Sequence, residues 1–255
     1  MNHISFTELK PDRMKKSTFV PYLFTVIIVI MGSCSKKAVP ASSGASGDGF
    51  VALFDGTTLD GWRGYKKDHL PSKWLVEDGT IHFNPEAEGD GGDIIYNKQF
   101  ANFHLKIEWK IAEGGNSGIF YLGKEVDNFG AIYQTAPEMQ VLDNDRHPDA
   151  KLGKDGNRKA GSLYDLIPAV PQNFKGAGEW NQVEIIHENG HVIQMQNGVK
   201  VVEYQTGTPE WDALVAGSKF PGLNPDWANL ASEGYIGLQD HGNHVWFRNI
   251  YLKEL

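Results

Sequence analysis

The sequence predicts an all-β protein, a β-sandwich of two antiparallel sheets in one domain of about 205 residues. Three observations predict it. Short segments alternate apolar and polar residues with a period of two, and Gly, Asn, Asp and Pro separate them. Few segments have helical periodicity. The sequence contains no internal repeat of 20 to 50 residues, which argues against a propeller or solenoid. Antiparallel sheets that bury one face produce this alternation.

The strand from 104 to 111 has the clearest pattern, because Leu105 and Ile107 alternate with Lys106 and Glu108. Asn189-Gly190 joins the next two segments, and this pair favours a tight hairpin turn. The predicted strands are 104–111, 182–187, 191–196, 199–204 and 245–252. One short helix is predicted after Thr208, with Pro209 in its first turn and Gly217 as its end. We expect it to be a lid or an edge decoration.

Composition excludes several functional classes. The 255 residues are 40% hydrophobic and 22% charged, which is too apolar for a disordered chain. The formal charge is −8, so the protein repels nucleic acid phosphates, and no stripe of Lys and Arg offsets this. We therefore expect no nucleic acid partner.

The N-terminus predicts export. Lys15 and Lys16 precede an apolar stretch at 20–31, which is too short to span a bilayer comfortably and is typical of a signal peptide. Residues 1–33 are therefore interpreted as the signal peptide. A signal that begins at Met14 would have the ordinary length, which would make residues 1–13 an over-extended start. Cys34 is the only cysteine.

Cys34 follows Gly32 and Ser33, which resembles the lipobox of bacterial lipoproteins. The alternative is a free cysteine beside an ordinary signal peptide. We expect a lipidated Cys34, a flexible tether through residue 49 and a domain from residue 50 to 255. The predicted location is the periplasmic side of a bacterial membrane, with the outer membrane favoured and the N-terminal lipid as the only membrane contact.

Candidate polar residues lie at outward strand positions. Glu138 and Gln140 share one face of their segment, and Glu108 and Gln239 also alternate outwards. Two carboxylates and two amides in one groove suit a sugar, whose hydroxyls need polar partners and whose cleavage needs an acid and a base. The alternative is that these are ordinary solvated strand positions.

Two loops add candidates. The loop at 143–154 carries Asp143, His147 and Lys154, and loops over a rigid sheet often carry catalytic groups. Its carboxylates and imidazole also suit a divalent metal ion, although their spacing matches no fixed metal signature. At 237–244, we favour His241 over His244 as a site residue.

Trp211 and Trp227 lie outside the predicted strands. Each is either part of the core or a platform that stacks on a pyranose ring. The sequence does not separate these roles.

Several motifs together form a family pattern. The blocks are GFVALFDGTTLDGW (49–62), WLVEDG (74–79), GGNSGI (114–119), EMQVLD (138–143), AGSLYDL (160–166), GEWN (178–181), GLQDHG (237–242) and VWFRNI (245–250). Their order and sequence resemble the 3-keto-disaccharide hydrolase domain from about residue 50 to 255. The resemblance implies a concanavalin A-like jelly roll that acts on an oligosaccharide or glycoside whose carbon 3 is a ketone. The family's blocks correspond here to Glu138, Gln140, Asp143, Gln239 and His241.

The implied chemistry follows from the ketone. It acidifies the proton on carbon 2, so the glycosidic oxygen leaves through an enolate and water then adds. The expected base is Glu138 or His241. The expected enolate stabiliser is Lys154, His147 or a bound cation, and the expected positioning groups are Gln140, Gln239 and Asp143. The alternatives are an ordinary two-carboxylate glycoside hydrolase and a lectin-like binding module without chemistry.

Overall fold

The computed structural model describes residues 48–255, and these fold as two antiparallel sheets packed face to face. The predicted signal segment, Cys34 and the tether up to residue 47 lie outside the described residues. The predicted all-β sandwich is confirmed. Within residues 48–255, no helix has the length and apolarity needed to cross a membrane.

Thirteen strands make up the two sheets. They are β1 (Val51–Ala52), β2 (Trp62–Gly64), β3 (Trp74–Glu77), β4 (Thr80–Phe83), β5 (Ile94–Phe100), β6 (Phe103–Ile111), β7 (Asn116–Gly123), β8 (Glu138–Leu142), β9 (Asn181–Glu188), β10 (His191–Gln196), β11 (Val199–Gln205), β12 (Gly234–Leu238) and β13 (Val245–Glu254). The eight-stranded sheet has the order β11-β10-β9-β6-β13-β4-β3, with β1 also paired to β13. The five-stranded sheet has the order β2-β5-β12-β7-β8.

Local sequence explains the hairpin between β9 and β10. Asn189 and Gly190 both have positive φ, at 51° and 81°, which the tight turn requires and which these residue types tolerate. Asn197 and Gly198 repeat this geometry between β10 and β11, at 50° and 80°. The predicted strands in this part of the chain are therefore confirmed to within a residue or two at each end.

The single α-helix between residues 48 and 255, α1 (Pro209–Ala216), lies where the sequence places it. The Thr208 hydroxyl accepts a hydrogen bond from the Trp211 backbone N–H at 3.2 Å, and the helix ends at Gly217. Three short 3₁₀ turns lie in loops, at Ile132–Gln134, Pro148–Lys151 and Phe220–Gly222.

The apolar residues of each alternating strand fill the space between the sheets. Leu105 and Ile107 of β6 face this core, as do Met139 and Val141 of β8. Because successive side chains of a strand point to opposite faces, Glu138 and Gln140 lie on the outer face of the five-stranded sheet. That face carries the candidate site.

Candidate active site

A cavity of about 330 Å³ opens on the outer face of the five-stranded sheet. Its lining combines amides, a carboxyl group, an imidazole, an amine and aromatic rings. The lining residues are Asn116, Tyr133, Glu138, Gln140, Tyr164, Lys219, Phe220, Leu223, Gln239 and His241. The expected convergence of Glu138, Gln140, Gln239 and His241 in one pocket is therefore confirmed.

Strand pairing explains this convergence. β8 supplies Glu138 and Gln140, and β7 lies between β8 and β12 in the sheet. Gly118 of β7 is directly opposite Gln140, and its carbonyl accepts a hydrogen bond from the Gln239 backbone N–H at 3.0 Å. The end of β12 is thereby placed beside β7 and only one strand away from β8, although about a hundred residues separate β8 and β12 in the chain.

Glu138 is the buried carboxyl group of the cavity, with only 6% of its surface exposed. Burial raises the pKa of Glu138 to about 8, and the negative charges of Asp93 and Asp149 add to the rise. The positive charge of Lys219 acts in the opposite direction. A carboxyl group with a pKa in this range is suited to proton transfer near neutral pH.

Two amide oxygens in the cavity lack hydrogen-bond partners. They are Asn116 Oδ1 and Gln239 Oε1, and both residues are more than nine-tenths buried. Buried polar atoms are usually paired, so an unpaired acceptor that lines a cavity indicates a ligand that brings donors. Hydroxyl groups are such donors.

His241 lies at the exposed side of the cavity. The ring of His147 meets it edge-on, with ring centroids 6.1 Å apart. Burial and the neighbouring His241 lower the pKa of His147. His147 Nδ1 accepts a hydrogen bond from the Asp149 backbone N–H at 3.2 Å, so this side chain also begins a 3₁₀ turn.

Comparison with known proteins identifies the family. A model of the 3-keto-alpha-glucoside-1,2-lyase-like domain matches residues 49–253. The chain belongs to this family. A 3-keto-disaccharide hydrolase of Bacteroides thetaiotaomicron is 51% identical over 229 residues, which cover 82% of this chain and 79% of that protein. The family resemblance predicted from the sequence motifs is therefore confirmed.

Solved structures agree with this assignment. Two Parabacteroides distasonis crystal structures, each described as a "putative glycosyl hydrolase", are similar to this chain. The first has a TM-score of 0.73 at 30% identity and covers 81% of this chain and 94% of its own. The second has a TM-score of 0.63 at 28% identity and covers 81% and 99%.

Glu108 is not part of this family member's cavity, and the expectation that it shares a groove with Glu138 is wrong. It lies on β6 of the eight-stranded sheet, so the whole core separates the two carboxyl groups. Arg248 Nε donates to Glu108 Oε2 at 2.8 Å, and Gln182 Nε2 donates to Oε1 at 3.1 Å. Period-two alternation gives the face of a strand but not the sheet to which the strand belongs.

Asp143 and Lys154 do not line the cavity either, so the direct substrate contacts expected of them are not supported. Asp143 is fully buried and accepts hydrogen bonds from the backbone N–H groups of Gly114, at 2.7 Å, and Asp145, at 3.1 Å. It fixes the start of the loop. Lys154 is exposed on that loop.

The preference for His241 over His244 agrees with the geometry. His244 Nε2 lies 2.7 Å from Glu86 Oε2, and its Nδ1 lies 3.0 Å from Nε2 of His82. His244 also stacks on Trp246 with parallel rings. These contacts hold it in a cluster outside the cavity lining.

Sequence reasoning missed several lining residues, of which Lys219 and Tyr164 matter most. Both lie in loops without period-two alternation. The AGSLYDL block at 160–166 includes Tyr164 without giving it a role, and no motif block includes Lys219. Trp211 and Trp227, left open as sugar platforms, are only 2% and 1% exposed and belong to the core. The stacking role is therefore wrong for both.

The described part of the chain contains no cluster of side chains that could bind the predicted divalent cation. Between residues 48 and 255, no group of three or more His, Cys, Asp or Glu side chains is placed to hold a metal ion. The metal stays a prediction that elemental analysis of the purified protein tests.

Proposed function

We propose that this protein cleaves 3-keto-disaccharides by elimination through an enolate, followed by addition of water. The observation that carries the proposal is a buried carboxyl group, Glu138, inside a cavity whose amide oxygens need hydroxyl donors. The name of the Bacteroides relative, a 3-keto-disaccharide hydrolase, supports the substrate class.

The reaction balances without an oxidant or reductant. A base removes the proton on carbon 2, and its electron pair forms a carbon 2–carbon 3 double bond with negative charge on the ketone oxygen. That charge then returns to re-form the ketone, the double bond shifts to carbons 1 and 2, and the glycosidic oxygen leaves with a proton. Water adds across the new double bond and gives the 3-keto monosaccharide.

Glu138 acts as the base in this proposal. Its carboxylate form increases as the pH rises through about 8, and a weakly acidic carboxyl group is a strong base once ionised. His241 donates the proton to the leaving oxygen at the exposed side of the cavity, where the second sugar departs. Asn116 and Gln239 accept hydrogen bonds from sugar hydroxyls through their unpaired oxygens.

Gln140 positions the loop that borders the cavity. Its Oε1 accepts a hydrogen bond from the Val141 backbone N–H at 3.1 Å, and its Nε2 donates to the Arg158 carbonyl at 3.4 Å. Because residue 140 is an amide, this strand lacks the second carboxyl group that a double-displacement hydrolase would need beside Glu138.

The direct test compares Glu138→Gln with the unchanged protein on a 3-keto-disaccharide and on the same disaccharide unoxidised. We expect cleavage of the 3-keto form only, and a loss of at least about 1,000-fold in kcat for Glu138→Gln. Glu108→Gln is the matched control, because it makes the same change on the opposite sheet. Normal turnover by Glu138→Gln would remove Glu138 from the mechanism.

The same assay separates the alternatives. Cleavage of the unoxidised disaccharide at a similar rate would favour the two-carboxylate hydrolase. Saturable binding of the 3-keto sugar in calorimetry, without product, would favour a lectin-like module.

We also propose that the protein works in the cell envelope, held by a lipid on Cys34. Support comes from the signal pattern and from the position of the cysteine after Gly32 and Ser33. Metabolic labelling with a radioactive fatty acid should mark the full-length protein and fail to mark Cys34→Ala. Equal labelling of both proteins would contradict the proposal.

A further inference from the structure

The segment that follows α1 forms one side of the cavity. Lys219, Phe220 and Leu223 all line it, and they lie within five consecutive residues. The cavity therefore combines groups from the sheet, such as Glu138 of β8, with groups from this segment. We call residues 219–223 the wall segment.

A stack of aromatic rings fixes the wall segment to the core. Phe220 stacks on Trp227 with ring centroids 4.0 Å apart, and Trp227 stacks on Trp211 at 5.9 Å. Trp211 stacks in turn on Tyr204 of β11 at 5.2 Å. Because these rings are buried and in contact, Phe220 anchors the wall segment to the core.

Lys219 is held at its tip by Tyr164. Its Nζ donates to the Tyr164 hydroxyl at 3.1 Å, and lies 4.3 Å from the centroid of the Tyr164 ring. An ammonium group has three donors, so this hydrogen bond leaves two for a ligand in the cavity.

Tyr164 is itself oriented by an ion pair. Its hydroxyl donates to Asp149 Oδ2 at 3.0 Å, which leaves its oxygen free to accept from Lys219. Arg158 Nη1 donates to Asp149 Oδ1 at 2.9 Å, and Arg158 Nε donates to Asp165. The guanidinium thus neutralises Asp149 and fixes it, so Asp149 holds the Tyr164 hydroxyl in one direction.

Lys219 is the only lysine or arginine among the cavity's lining residues. Lys219 and Glu138 line the same cavity, and the positive charge of Lys219 opposes the rise in the pKa of Glu138. In the elimination, the proton leaves carbon 2 while negative charge grows on the oxygen of the adjacent carbon 3. The reaction therefore needs a base next to carbon 2 and a positive charge next to the oxygen on carbon 3.

We infer that Lys219 stabilises the enolate oxygen formed on carbon 3, and that Tyr164 positions it. This inference rests on the proposed function and assigns to Lys219 the role that the sequence motifs led us to expect of Lys154 or His147. As the carbon 2 proton passes to Glu138, one of the two remaining N–H groups of Lys219 donates to the oxygen that gains the charge. No proton needs to leave Lys219, and the charge is released when the ketone re-forms and the glycosidic bond breaks.

The test uses Lys219→Ala, Lys219→Arg and Tyr164→Phe in the full chain, with a 3-keto-disaccharide as substrate. Removal of one donor to a developing oxyanion costs about 100- to 1,000-fold in kcat. We expect a loss of that size for Lys219→Ala with KM changed by less than about threefold, partial activity for Lys219→Arg, and partial rescue of Lys219→Ala by added ethylammonium. Lys151→Ala, an exposed lysine outside the cavity, is the control for a lost surface charge.

Tyr164→Phe tests the positioning role. We expect about a tenfold loss of kcat in the unchanged background and almost no further loss when it is added to Lys219→Ala, because Tyr164 acts through Lys219. Additive losses in the double variant would contradict positioning. Unfolding curves for each variant confirm that the loss is not one of folding.

The outcomes separate the two levels of the proposal. Activity of Lys219→Ala within twofold of the unchanged protein, while that protein cleaves the 3-keto-disaccharide, would overturn the role of Lys219 alone. No cleavage of any 3-keto-disaccharide by the unchanged protein would overturn both the function and the role. A loss seen only in KM would assign Lys219 to ground-state binding and overturn enolate stabilisation.

Discussion

The carboxyl group of Glu138 lies directly over the backbone of Gly118. A Cβ atom at residue 118 would lie 2.6 Å from Glu138 Cδ, closer than carbon atoms that are not bonded approach each other. The missing side chain on β7 therefore makes the space that the buried carboxyl group occupies. The position of the Glu138 side chain therefore depends on the neighbouring strand β7 as well as on β8.

Gly118→Ala is expected to displace Glu138 and to lower kcat/KM by about 100-fold, since an error of about 1 Å in a reacting group has this effect. Steady-state kinetics on a 3-keto-disaccharide measure it. Gly130→Ala is the control, because nothing lies within 4 Å of the added Cβ atom there. Equal activity of the two variants would show that Glu138 tolerates the shift.

Glu138→Gln is expected to make the protein more stable in mildly alkaline solution. Burial raises the pKa of Glu138 from 4.5 to about 8, so between these values the folded state keeps a proton that the unfolded state releases. The free energy of unfolding therefore falls as the pH rises through this window, and the glutamine variant escapes this loss. We expect a gain of about 1–3 kcal/mol over the unchanged protein at pH 8, and little difference at pH 4.5.

Urea unfolding at both pH values checks this sign. Asp93, whose pKa burial raises to about 7, contributes a slope of the same direction in both proteins, so most of its contribution cancels in the difference. A glutamine variant that is less stable than the unchanged protein at pH 8 would contradict the buried protonated carboxyl group.

The activity of the unchanged protein is expected to rise with pH up to about 8. The base must be ionised, and the pKa of Glu138 is raised to about 8. The pH profile of kcat/KM on a 3-keto-disaccharide measures this. A profile that falls steadily between pH 6 and pH 8, in the unchanged protein and in His241→Gln alike, would instead make Glu138 the acid that protonates the leaving oxygen.

Gln239→Met is expected to weaken substrate binding without harming the fold. The unpaired Oε1 of Gln239 is buried, so replacement by an apolar side chain of similar size removes an unsatisfied acceptor. We expect KM for a 3-keto-disaccharide to rise about tenfold and the unfolding free energy to stay equal or increase. Gln182→Met on the opposite sheet serves as control, and a similar rise in KM there would refute the assignment.

Trp227→Leu is expected to disturb the wall segment as well as the core. It removes the stack on Phe220 and the hydrogen bond from Trp227 Nε1 to the Tyr133 carbonyl at 3.0 Å. We expect a loss of about 3–5 kcal/mol in stability together with at least about tenfold in kcat/KM, measured where the variant remains folded. Trp109→Leu, also fully buried but outside the wall segment, should lose stability without a comparable loss of activity.

The sequence by itself determined the local features of this protein. Alternation placed Met139 and Val141 in the core and Glu138 and Gln140 on the opposite face, and Asn189-Gly190 identified the β9–β10 turn. These predictions succeed because the geometry of a strand or turn depends on a few adjacent residues. The motif blocks, read together, also identified the family that the comparisons confirm.

Only the tertiary structure decided which of these local pieces meet. Glu108 has the same alternation as Glu138, yet β6 pairs with β9 and β13 in the other sheet. Lys219 reaches Tyr164 and the cavity through packing of rings that are distant in the chain, while Lys154, in the loop that begins at the end of the Glu138 strand, lies outside the cavity lining. Strand partners and ring stacks are long-range contacts, selected by the burial of the whole core rather than by the residues beside them.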